Sequence, residues 1–459
     1  MKKPLVFLLV SVLAAPAAQA QWASQPVPFS RATYYPASLQ AVDASAAWAI
    51  ASNPSGLFTP AGIGTTEVAR TTDGGASWRT GTVPGLAATE VITSLTAQSA
   101  TTAWLTTTGD TQSQVLRTTD GGATWQPRLT LGSKVAERSL DYVCFFDADH
   151  GLCLGNPDNG DQLVVYTTAD GGATWAATPG LPPLASTGFN YLVALSPPVV
   201  VGAHIWVATT SSQVFHSADR GLTWTVSAIV PASTTPNGPK ALAFSDEQHG
   251  LALFSRTDGF TNGQPLYQTA DGGATWQPVA FSGPLHGSNL ARVPGTSTYL
   301  SVGENLPFAG VPADAGSSFS RDGGATWMAL ESTDNHQLLS AAGPLAIWSS
   351  SYDYPTGLSN GVRKLTSLAL PTRAAALASP LRAYPNPSPD GHFTLVLPAA
   401  ASGAQVQVLD ALGREVARAG WGDGTPGAHS LSLAGQPAGC YTVRVRTTAG
   451  VATQRLCVQ

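Results

Sequence analysis

The sequence predicts an all-β protein, organised as a seven-bladed β-propeller followed by a small antiparallel β-sandwich. Glycine (47) and proline (34) are abundant in the 459 residues, and charged residues make up only 11%. That composition suits many short strands joined by turns. An eight-residue motif recurs about every 50 residues, which is a typical spacing for propeller blades. No segment after the N-terminus has the 3.6-residue period of a long amphipathic helix.

The repeated motif has the pattern Ser/Thr-x-Asp-x-Gly-x-Ser/Thr-Trp and occurs six times. Its aspartate caps backbone N–H groups in a tight turn, its glycines permit positive φ, and its tryptophan begins the next strand as a buried anchor. We therefore expect it to form the turn between the third and fourth strands of each blade. Its aspartates and tryptophans are Asp73 and Trp78, Asp120 and Trp125, Asp170 and Trp175, Asp219 and Trp224, Asp271 and Trp276, and Asp322 and Trp327.

The seventh blade has no such motif. A strand-turn-strand pattern precedes every motif, and a seventh copy at 338–350 is followed by a third-strand segment at 362–366 but by no fourth strand. The N-terminal segment 22–29 resembles the fourth-strand segment 276–281. We predict that it completes the seventh blade, because an open ring would expose sheet edges. The alternative is six full blades with an incomplete seventh.

The N-terminus has the features of a secretory signal peptide. Lys2 and Lys3 precede an apolar run at 4–15, and Ala18-Gln19-Ala20 is a small-x-small cleavage pattern. The run is too short to cross a bilayer, and no later membrane span is expected. An uncleaved anchor is the alternative. The predicted organisation is a signal peptide at 1–20, a propeller at 21–370, a Pro- and Ala-rich linker at 371–381 and a C-terminal domain at 382–459.

Charge and motif content exclude several function classes. Lysine and arginine total 23, two of them in the leader, against 28 acidic residues. No basic run appears, so nucleic-acid binding is not expected. No CxxC or CxxH spacing indicates a metal site, and we expect neither a metal nor a cofactor.

Four cysteines form two local pairs in the sequence. Cys144 and Cys153 flank an expected turn at 148–149, and Cys440 and Cys457 flank one at 448–449. Symmetry about a two-residue turn places cross-strand Cβ atoms about 4.5–5.5 Å apart. In an exported protein this favours two hairpin disulfides, and the alternative is two pairs of small buried residues with free thiols.

The six motifs match the Asp-box (BNR) pattern of sialidases, xyloglucanases, sortilin-type receptors and photosystem II stability/assembly factors. The blades resemble the last family most, through Phe145–Leu152 and Phe244–Leu251. This resemblance covers about residues 22–370 and implies the propeller fold but not a function. An assembly role for photosystems is not expected, because the propeller arginines are scattered. His150 and His249 hold equivalent places in these segments, which favours a role in the turn.

The C-terminal domain closely resembles the sorting domain of the type IX (Por) secretion system of Bacteroidota. The matching segments are the opening YPNPS at 384–388, the middle GREV at 413–416 and the ending PAGCYTVRV at 437–445. The resemblance implies passage across the outer membrane, with the secretion machinery and its sortase as partners, and then release or attachment to the cell surface. Cysteine at 440 and 457 departs from the usual apolar residues. An ordinary accessory sandwich is the alternative.

Two functions remain open from the sequence. A non-catalytic binding or scaffold propeller would use the face opposite the Asp boxes for an extracellular glycan or protein. The alternative is a sialidase- or xyloglucanase-like glycoside hydrolase, which is less favoured because the sialidase Arg-Ile-Pro motif is absent and xyloglucanases use two propellers. Asp314 and Asp353 are loop carboxylates to test, but no residue is predicted to be catalytic. Candidate binding-face aromatics are Tyr35, Phe189, Tyr191, Phe308, Tyr352 and Tyr354.

Overall fold

The computed structural model contains 35 strands in the residues it describes. The chain divides into two compact units, Met1–Leu368 and Ala369–Gln459, each of which is described by itself. No helix in the described parts is long and apolar enough to span a membrane. The described residues are 22–53, 64–132, 140–155, 163–183, 197–210, 212–229, 238–254, 265–305, 313–353, 358–366, 381–397, 404–410, 415–421, 427–447 and 450–459.

In the first unit, the described strands form seven four-stranded antiparallel sheets, here called blades 1 to 7. β1 (Trp22–Gln25) belongs to blade 7, and the next strands form blades 1 to 6 in chain order. Blades 1 and 2 comprise β2 (Tyr35–Ala41), β3 (Ala47–Ser52), β4 (Gly64–Thr71), β5 (Arg79–Thr82), β6 (Val91–Ala97), β7 (Ala103–Thr108), β8 (Gln112–Thr118) and β9 (Gln126–Gly132).

The next four blades repeat this order. Blades 3 and 4 comprise β10 (Leu140–Phe145), β11 (Gly151–Gly155), β12 (Val164–Thr168), β13 (Ala176–Ala177), β14 (Val199–Val201), β15 (His204–Ala208), β16 (Gln213–Ser217) and β17 (Thr225–Ala228). Blades 5 and 6 comprise β18 (Ala241–Phe244), β19 (Gly250–Leu253), β20 (Leu266–Thr269), β21 (Gln277–Pro278), β22 (Asn289–Arg292), β23 (Tyr299–Gly303), β24 (Gly316–Ser320) and β25 (Met328–Glu331). Blade 7 comprises β26 (Leu339–Gly343), β27 (Ala346–Asp353), β28 (Leu358–Leu365) and β1.

The N-terminal strand completes blade 7, as the sequence predicts. β1 pairs antiparallel with β28, from Trp22 opposite Leu365 to Gln25 opposite Val362. First strands contact one another between blades 1, 2 and 3 and between blades 4, 5, 6 and 7, and β26 contacts β2, so blade 7 lies against blade 1. The all-β prediction is confirmed, and the exposed edge that an unpaired β28 would leave is covered.

Hydroxyl groups connect the first strands across blades. In β6, Thr93 Oγ1 donates to the carbonyl of Leu140 in β10 at 2.6 Å. At the closure, Ser340 Oγ in β26 accepts from the backbone N–H of Ala41 in β2 at 2.9 Å. Each bond satisfies a backbone group that no strand of its own blade reaches.

Each Asp box lies on a residue of the second strand in the preceding blade, here called its seat. In four blades the seat is a tryptophan that is fully buried: Trp48, Trp104, Trp206 and Trp348. The box tryptophan Trp175 meets the seat Trp104 edge-on, with ring centroids 6.3 Å apart. A Cβ at Gly172 of the same box would lie 2.2 Å from Trp104, so this close approach requires glycine.

A cation from the third strand covers three of these seats. Arg117 lies over Trp104, with its guanidinium carbon 5.0 Å from the ring centroid. The Nζ atom of Lys364 lies 4.7 Å from the ring centroid of Trp348. These cations are attracted to the electron-rich ring face, so each interface is sealed on its outer side.

The second unit contains two antiparallel sheets, β29-β30-β33 and β32-β31-β34-β35. Residues from both sheets share one core, which includes Phe393, Leu395, Val406, Val443 and Leu456. Two sheets around a common core form the small sandwich that the sequence predicts. The strands are β29 (Arg382–Tyr384), β30 (His392–Leu397), β31 (Ala404–Leu409), β32 (Glu415–Trp421), β33 (Gly427–Ser432), β34 (Gly439–Thr447) and β35 (Gly450–Val458).

Candidate functional site

The Asp boxes themselves are turn structures. In blade 5, Asp271 Oδ1 accepts from the hydroxyl of Thr269 at 2.8 Å and from the N–H of Thr275 at 2.9 Å. The Thr269 hydroxyl in turn accepts from the N–H of Gly273 at 2.8 Å. Hydrogen bonds from the Thr275 hydroxyl and N–H lower the pKa of Asp271 to about 2. The carboxylate is thus held ionised by its own turn, which suits a structural role and not proton transfer.

Two blades place leucine where the others have a seat tryptophan. The box of blade 4 lies on Leu152, and the box of blade 6 lies on Leu251; a Cβ at Gly221 or Gly324 would meet these leucines at 2.5 and 3.1 Å. In the third strand, Thr167 is the partner of Leu152 and Gln268 is the partner of Leu251. The tryptophan seats instead have a cationic or aromatic partner. Leucine with its uncharged partner fills less volume than tryptophan with a cation or a ring, which leaves space at both interfaces.

A cleft opens beside each leucine seat, on the Asp-box face. Leu251 lines one cleft, and Thr167, the cross-strand partner of Leu152, lines the other. Cleft 5/6, between blades 5 and 6, has a volume of about 490 Å³. Cleft 3/4, between blades 3 and 4, has a volume of about 560 Å³. Both lie within the size range of small-molecule sites. The sequence predicts a binding surface on the opposite face, and no motif in it indicates these clefts.

Each cleft holds a histidine that is fixed by an aspartate of the same turn. His249 Nδ1 in cleft 5/6 lies 2.9 and 3.0 Å from the two oxygens of Asp246. His150 in cleft 3/4 has the same distances to Asp147. Both aspartates also accept from backbone N–H groups of the turn, so the predicted turn role is confirmed. When the ring is neutral, this contact leaves Nε2 as the hydrogen-bond acceptor.

The next blade adds an arginine to each cleft. In cleft 3/4, Arg220 replaces a box glycine at φ 62°, and its Nη2 lies 3.3 Å from Asp147 Oδ2. In cleft 5/6, the guanidinium of Arg321 lies over the Phe319 ring at 5.3 Å. Each cleft therefore presents a guanidinium, an imidazole and threonine hydroxyls above an apolar floor. That set can bind hydroxyl or carboxylate groups of a ligand.

Two of the six aromatics predicted for the opposite face, Tyr35 and Tyr352, lie in the described residues, and both are buried. Tyr35 and Tyr352 do come together, with ring centroids 4.7 Å apart. However, only 9% and 7% of their surfaces are exposed, because each packs on the other. They therefore offer little surface for stacking a ligand. The other four candidates, Phe189, Tyr191, Phe308 and Tyr354, lie outside the described residues.

The carboxyl of Glu304, on the face opposite the Asp boxes, is not among the residues that the sequence singles out. Burial raises the pKa of Glu304 to about 7, with Lys240 opposing the shift and Asp314 adding to it. Its Oε2 is buried and has no hydrogen-bond partner. Asp314, by contrast, accepts from the N–H of Gly287 at 2.7 Å. The side chain of Asp353 lies outside the described residues. No sequence signal distinguishes Glu304, because its burial depends on contacts between blades.

One group of described residues, Glu331, Asp334 and His336, has the chemistry of metal ligands. The group is already internally bonded. His336 Nε2 lies 3.1 Å from Glu331 Oε1, and Arg363 donates to Asp334 at 2.8 Å. The indole N–H of Trp22 reaches Glu331 through Ser317, at 2.9 Å per bond. The cluster therefore connects β1 to blades 6 and 7, and we assign it to ring closure.

The structure contradicts one predicted disulfide. Cys144 lies opposite Leu152, and Cys153 lies opposite Val143, so the two thiols are offset by one residue and point to opposite faces of the sheet. The turn spans residues 146–150 and not two residues, which shifts the register. All four cysteines are free thiols in this structure. Cys440 and Cys457, in contrast, are direct cross-strand partners.

Comparison with known proteins identifies the C-terminal domain. Residues 382–459 match the family model of the secretion system C-terminal sorting domain, as the sequence resemblance had implied. This domain indicates export by the type IX secretion system to the cell surface or the extracellular space. No curated protein matches the chain.

Solved structures identify the fold of the first unit. The chain is similar to a structure described as YCF48 bound to D1 peptide, with 17% identity, a TM-score of 0.51, and coverage of 76% of this chain and 99% of that one. YCF48 from Cyanidioschyzon merolae follows at 16% identity, a TM-score of 0.34 and coverage of 80% and 95%. PorZ from Porphyromonas gingivalis, described as a surface component of the type-IX secretion system, has 12% identity, a TM-score of 0.25 and coverage of 91% and 69%. The first similarity shows a β-propeller, so the chain is an exported propeller protein with a sorting domain.

Proposed function

We propose that this protein is a non-catalytic binding propeller, placed outside the cell by its sorting domain, which binds an extracellular glycan in clefts 3/4 and 5/6. The sorting domain is then removed by the sortase, and the propeller is released or attached to the surface. The observation that carries the proposal is the repetition of one cleft at two leucine seats, each with a histidine, an arginine and threonine hydroxyls.

The chemistry of the clefts favours a sugar. Arginine and imidazole nitrogens offer hydrogen-bonding groups to a polyol or a uronic acid. The hydroxyls of Thr174 and Thr275 already donate to their box aspartates, so they add acceptor oxygens only. Two equal sites in one rigid ring also suit a repeating chain, because a second contact then forms at high effective concentration.

The nearby carboxylates support binding without turnover. In cleft 5/6, Asp271 and Asp246 both accept turn hydrogen bonds. The pKa of Asp246 is held at about 2, since bonds from backbone N–H groups outweigh the effect of burial. A glycoside hydrolase needs one carboxyl that carries a proton near neutral pH, and these two do not.

The test is a glycan-array measurement on the mature chain, with a hydrolysis screen on the same sugars. Saturable binding without products is expected. Arg321→Ala and His249→Ala in cleft 5/6, combined with Arg220→Ala and His150→Ala in cleft 3/4, should weaken binding at least tenfold, because both sites then lose their polar contacts. The matched control is Arg79→Ala, an exposed arginine at the Asp-box end of blade 1 and outside both clefts, which should bind normally. Equal affinity in all three proteins would contradict the proposal.

A second candidate is a glycoside hydrolase centred on Glu304. Its raised pKa, about 7, is the property of a general acid, and Asp314 is a nearby carboxylate. This candidate predicts hydrolysis of an array sugar that Glu304→Gln abolishes while Asp246→Asn leaves intact. Absence of any product would leave the binding function alone in place.

A further inference from the structure

The last hairpin of the sorting domain brings two cysteines together. Cys440 in β34 and Cys457 in β35 are direct partners in the ladder, which extends to the pair of Thr447 and Gly450. The two sulfurs are 3.3 Å apart, and both side chains are half-buried. A small side-chain rotation is enough to join them.

The backbone hydrogen bonds of Cys457 show whether the two cysteines form a hydrogen-bonded or a non-hydrogen-bonded cross-strand pair. Its N–H donates to Asn386 Oδ1 at 2.9 Å, and its carbonyl accepts from the N–H of Ser388 at 2.8 Å. Both groups therefore point away from β34, so Cys440 and Cys457 form a non-hydrogen-bonded pair. In such pairs the Cα atoms approach to about 4.5 Å, which is within the range that disulfides span.

An arginine makes the two thiols unequal. Arg455 Nη2 donates to the sulfur of Cys440 at 3.0 Å. Contacts with Cys457 and Arg455 lower the pKa of the Cys440 thiol, while the contact with Cys440 raises the pKa of Cys457. The thiolate, which is the nucleophilic form, is thus favoured at Cys440. Burial in the propeller has the opposite effect on Cys144 and raises its pKa to about 12.

We propose that Cys440 and Cys457 are an oxidation site of the sorting domain, at which Cys440 attacks first and Cys457 closes the disulfide. The Cys440 thiolate attacks one sulfur of an oxidised dithiol oxidoreductase of the cell envelope and displaces the other as a thiolate. Cys457 loses its proton and then attacks the Cys440 sulfur of this mixed disulfide, releasing the reduced oxidoreductase. Two electrons and two protons pass from the cysteine pair to the oxidant.

The disulfide would act on the terminal strand. β35 is held on one side by β34 and on the other by the segment around Asn386 and Ser388. A crosslink between 440 and 457 prevents β35 from separating from β34. It therefore also keeps β35 in place against the segment around Asn386 and Ser388. The predicted consequence is a sorting domain that resists proteolysis from its C-terminus.

The test uses the chain from residue 21 to residue 459, with the sorting domain still attached. It is reduced and then exposed to oxidised glutathione at pH 7, with peptide mapping by mass spectrometry. The expected result is a crosslink between 440 and 457 that is 2 Da lighter than the reduced pair, with Cys144 and Cys153 still free. Carboxypeptidase should then remove the terminal strand at least tenfold more slowly than in the reduced protein. A chain that stays reduced under these conditions would overturn the proposal.

Single variants separate the roles of the two thiols. Cys457→Ser should accumulate a glutathione adduct on Cys440 several-fold faster than Cys440→Ser accumulates one on Cys457. Arg455→Gln should slow the reaction of Cys440 several-fold, because less thiolate is present. Arg444→Gln is the matched control. Arg444 lies on the same face of the sheet as Arg455, two residue pairs from it, and Cys440 should react at the normal rate in this variant. Equal rates for the two cysteines, or equal slowing by both arginine variants, would refute the assigned order.

Discussion

Blade interfaces with a tryptophan seat differ from those with a leucine seat, although the same repeat forms both. Between blades 2 and 3, Trp104 fills the space under the Asp box and Arg117 covers it. Between blades 5 and 6, Leu251 and Gln268 take these places, and a cleft of about 490 Å³ remains. The Asp-box turn is the same in both. The fold therefore depends on the box, while the seat distinguishes the packed interface between blades 2 and 3 from the interface between blades 5 and 6, which has a cleft.

The interface between blades 6 and 7 is of a third kind. Blade 7 has no Asp box, and its fourth strand comes from the N-terminus. Trp22, Glu331 and His336 form a buried polar network there. A nonlocal network thus takes the place of a local turn, and we expect this interface to depend on pH more than the others do.

The largest expected effect is on a tryptophan seat. Trp104→Ala should lower the free energy of unfolding by about 3–5 kcal/mol, the usual cost of removing a buried tryptophan. Leu152→Ala at a leucine seat should cost less, because fewer contacts are removed. Urea unfolding of both variants measures the difference. A larger loss for Leu152→Ala would contradict the distinction between the seats.

The next effect concerns the closing network. The pKa of Glu331 is lowered to about 2, because hydrogen bonds from His336 and from backbone N–H groups outweigh burial. A lowered carboxyl pKa contributes stability that is present above about pH 4.5 and is lost as the pH falls toward 2. Burial lowers the pKa of His336, so protonation below about pH 6.5 also favours unfolding.

Glu331→Gln should therefore lower the free energy of unfolding by about 2–3 kcal/mol at pH 7. The difference in unfolding free energy between this variant and the unchanged protein should narrow as the pH falls from 4.5 toward 2. Urea midpoints at pH 7, 5 and 3 give this comparison. Asp110→Asn, at an exposed loop carboxylate outside this network, serves as the reference. If the difference in unfolding free energy does not change with pH, Glu331 is not the ionised partner of this network.

A smaller effect on stability, with a large one on binding, is expected from converting a seat. Leu251→Trp should fill cleft 5/6 at a cost of about 1–3 kcal/mol for added volume, and ligand binding there should be lost. Leu152→Trp should do the same in cleft 3/4. Calorimetric titration with a glycan identified on the array would show one site remaining in each single variant and none in the double variant. Unchanged stoichiometry would place the ligand elsewhere.

The smallest effect is expected for the cation over a seat. Arg117 is half-buried, so Arg117→Ala should destabilise the protein by about 1 kcal/mol, between the contributions of exposed and of desolvated cation–π contacts. Arg117→Lys should recover part of this loss, because a charge over the Trp104 ring is retained. Thermal unfolding at low and high salt is a suitable measurement, and a loss above 2 kcal/mol would indicate a packing role in addition.

Local signals predicted most of the fold. The Asp box specifies its own turn within eight residues, so Asp73 or Asp271 can be recognised without knowledge of any neighbour. The pairing of Trp22 with the last blade was predicted from the similarity of two segments and from the cost of an open edge. Cys144 and Cys153 were wrongly paired, because a turn of five residues and a turn of two residues differ by one position in register. That single step moves a side chain to the other face.

The sequence by itself determined the strands, the Asp-box turns, the closing strand and the sorting domain, because each is encoded by residues that act within a short segment or by a strong repeat. Only the tertiary structure decided the seats, the two clefts, the burial of Tyr35 and Tyr352, and the raised pKa of Glu304. These properties come from contacts between different blades. Space, burial and the cost of a buried charge depend on what the neighbouring blade places there.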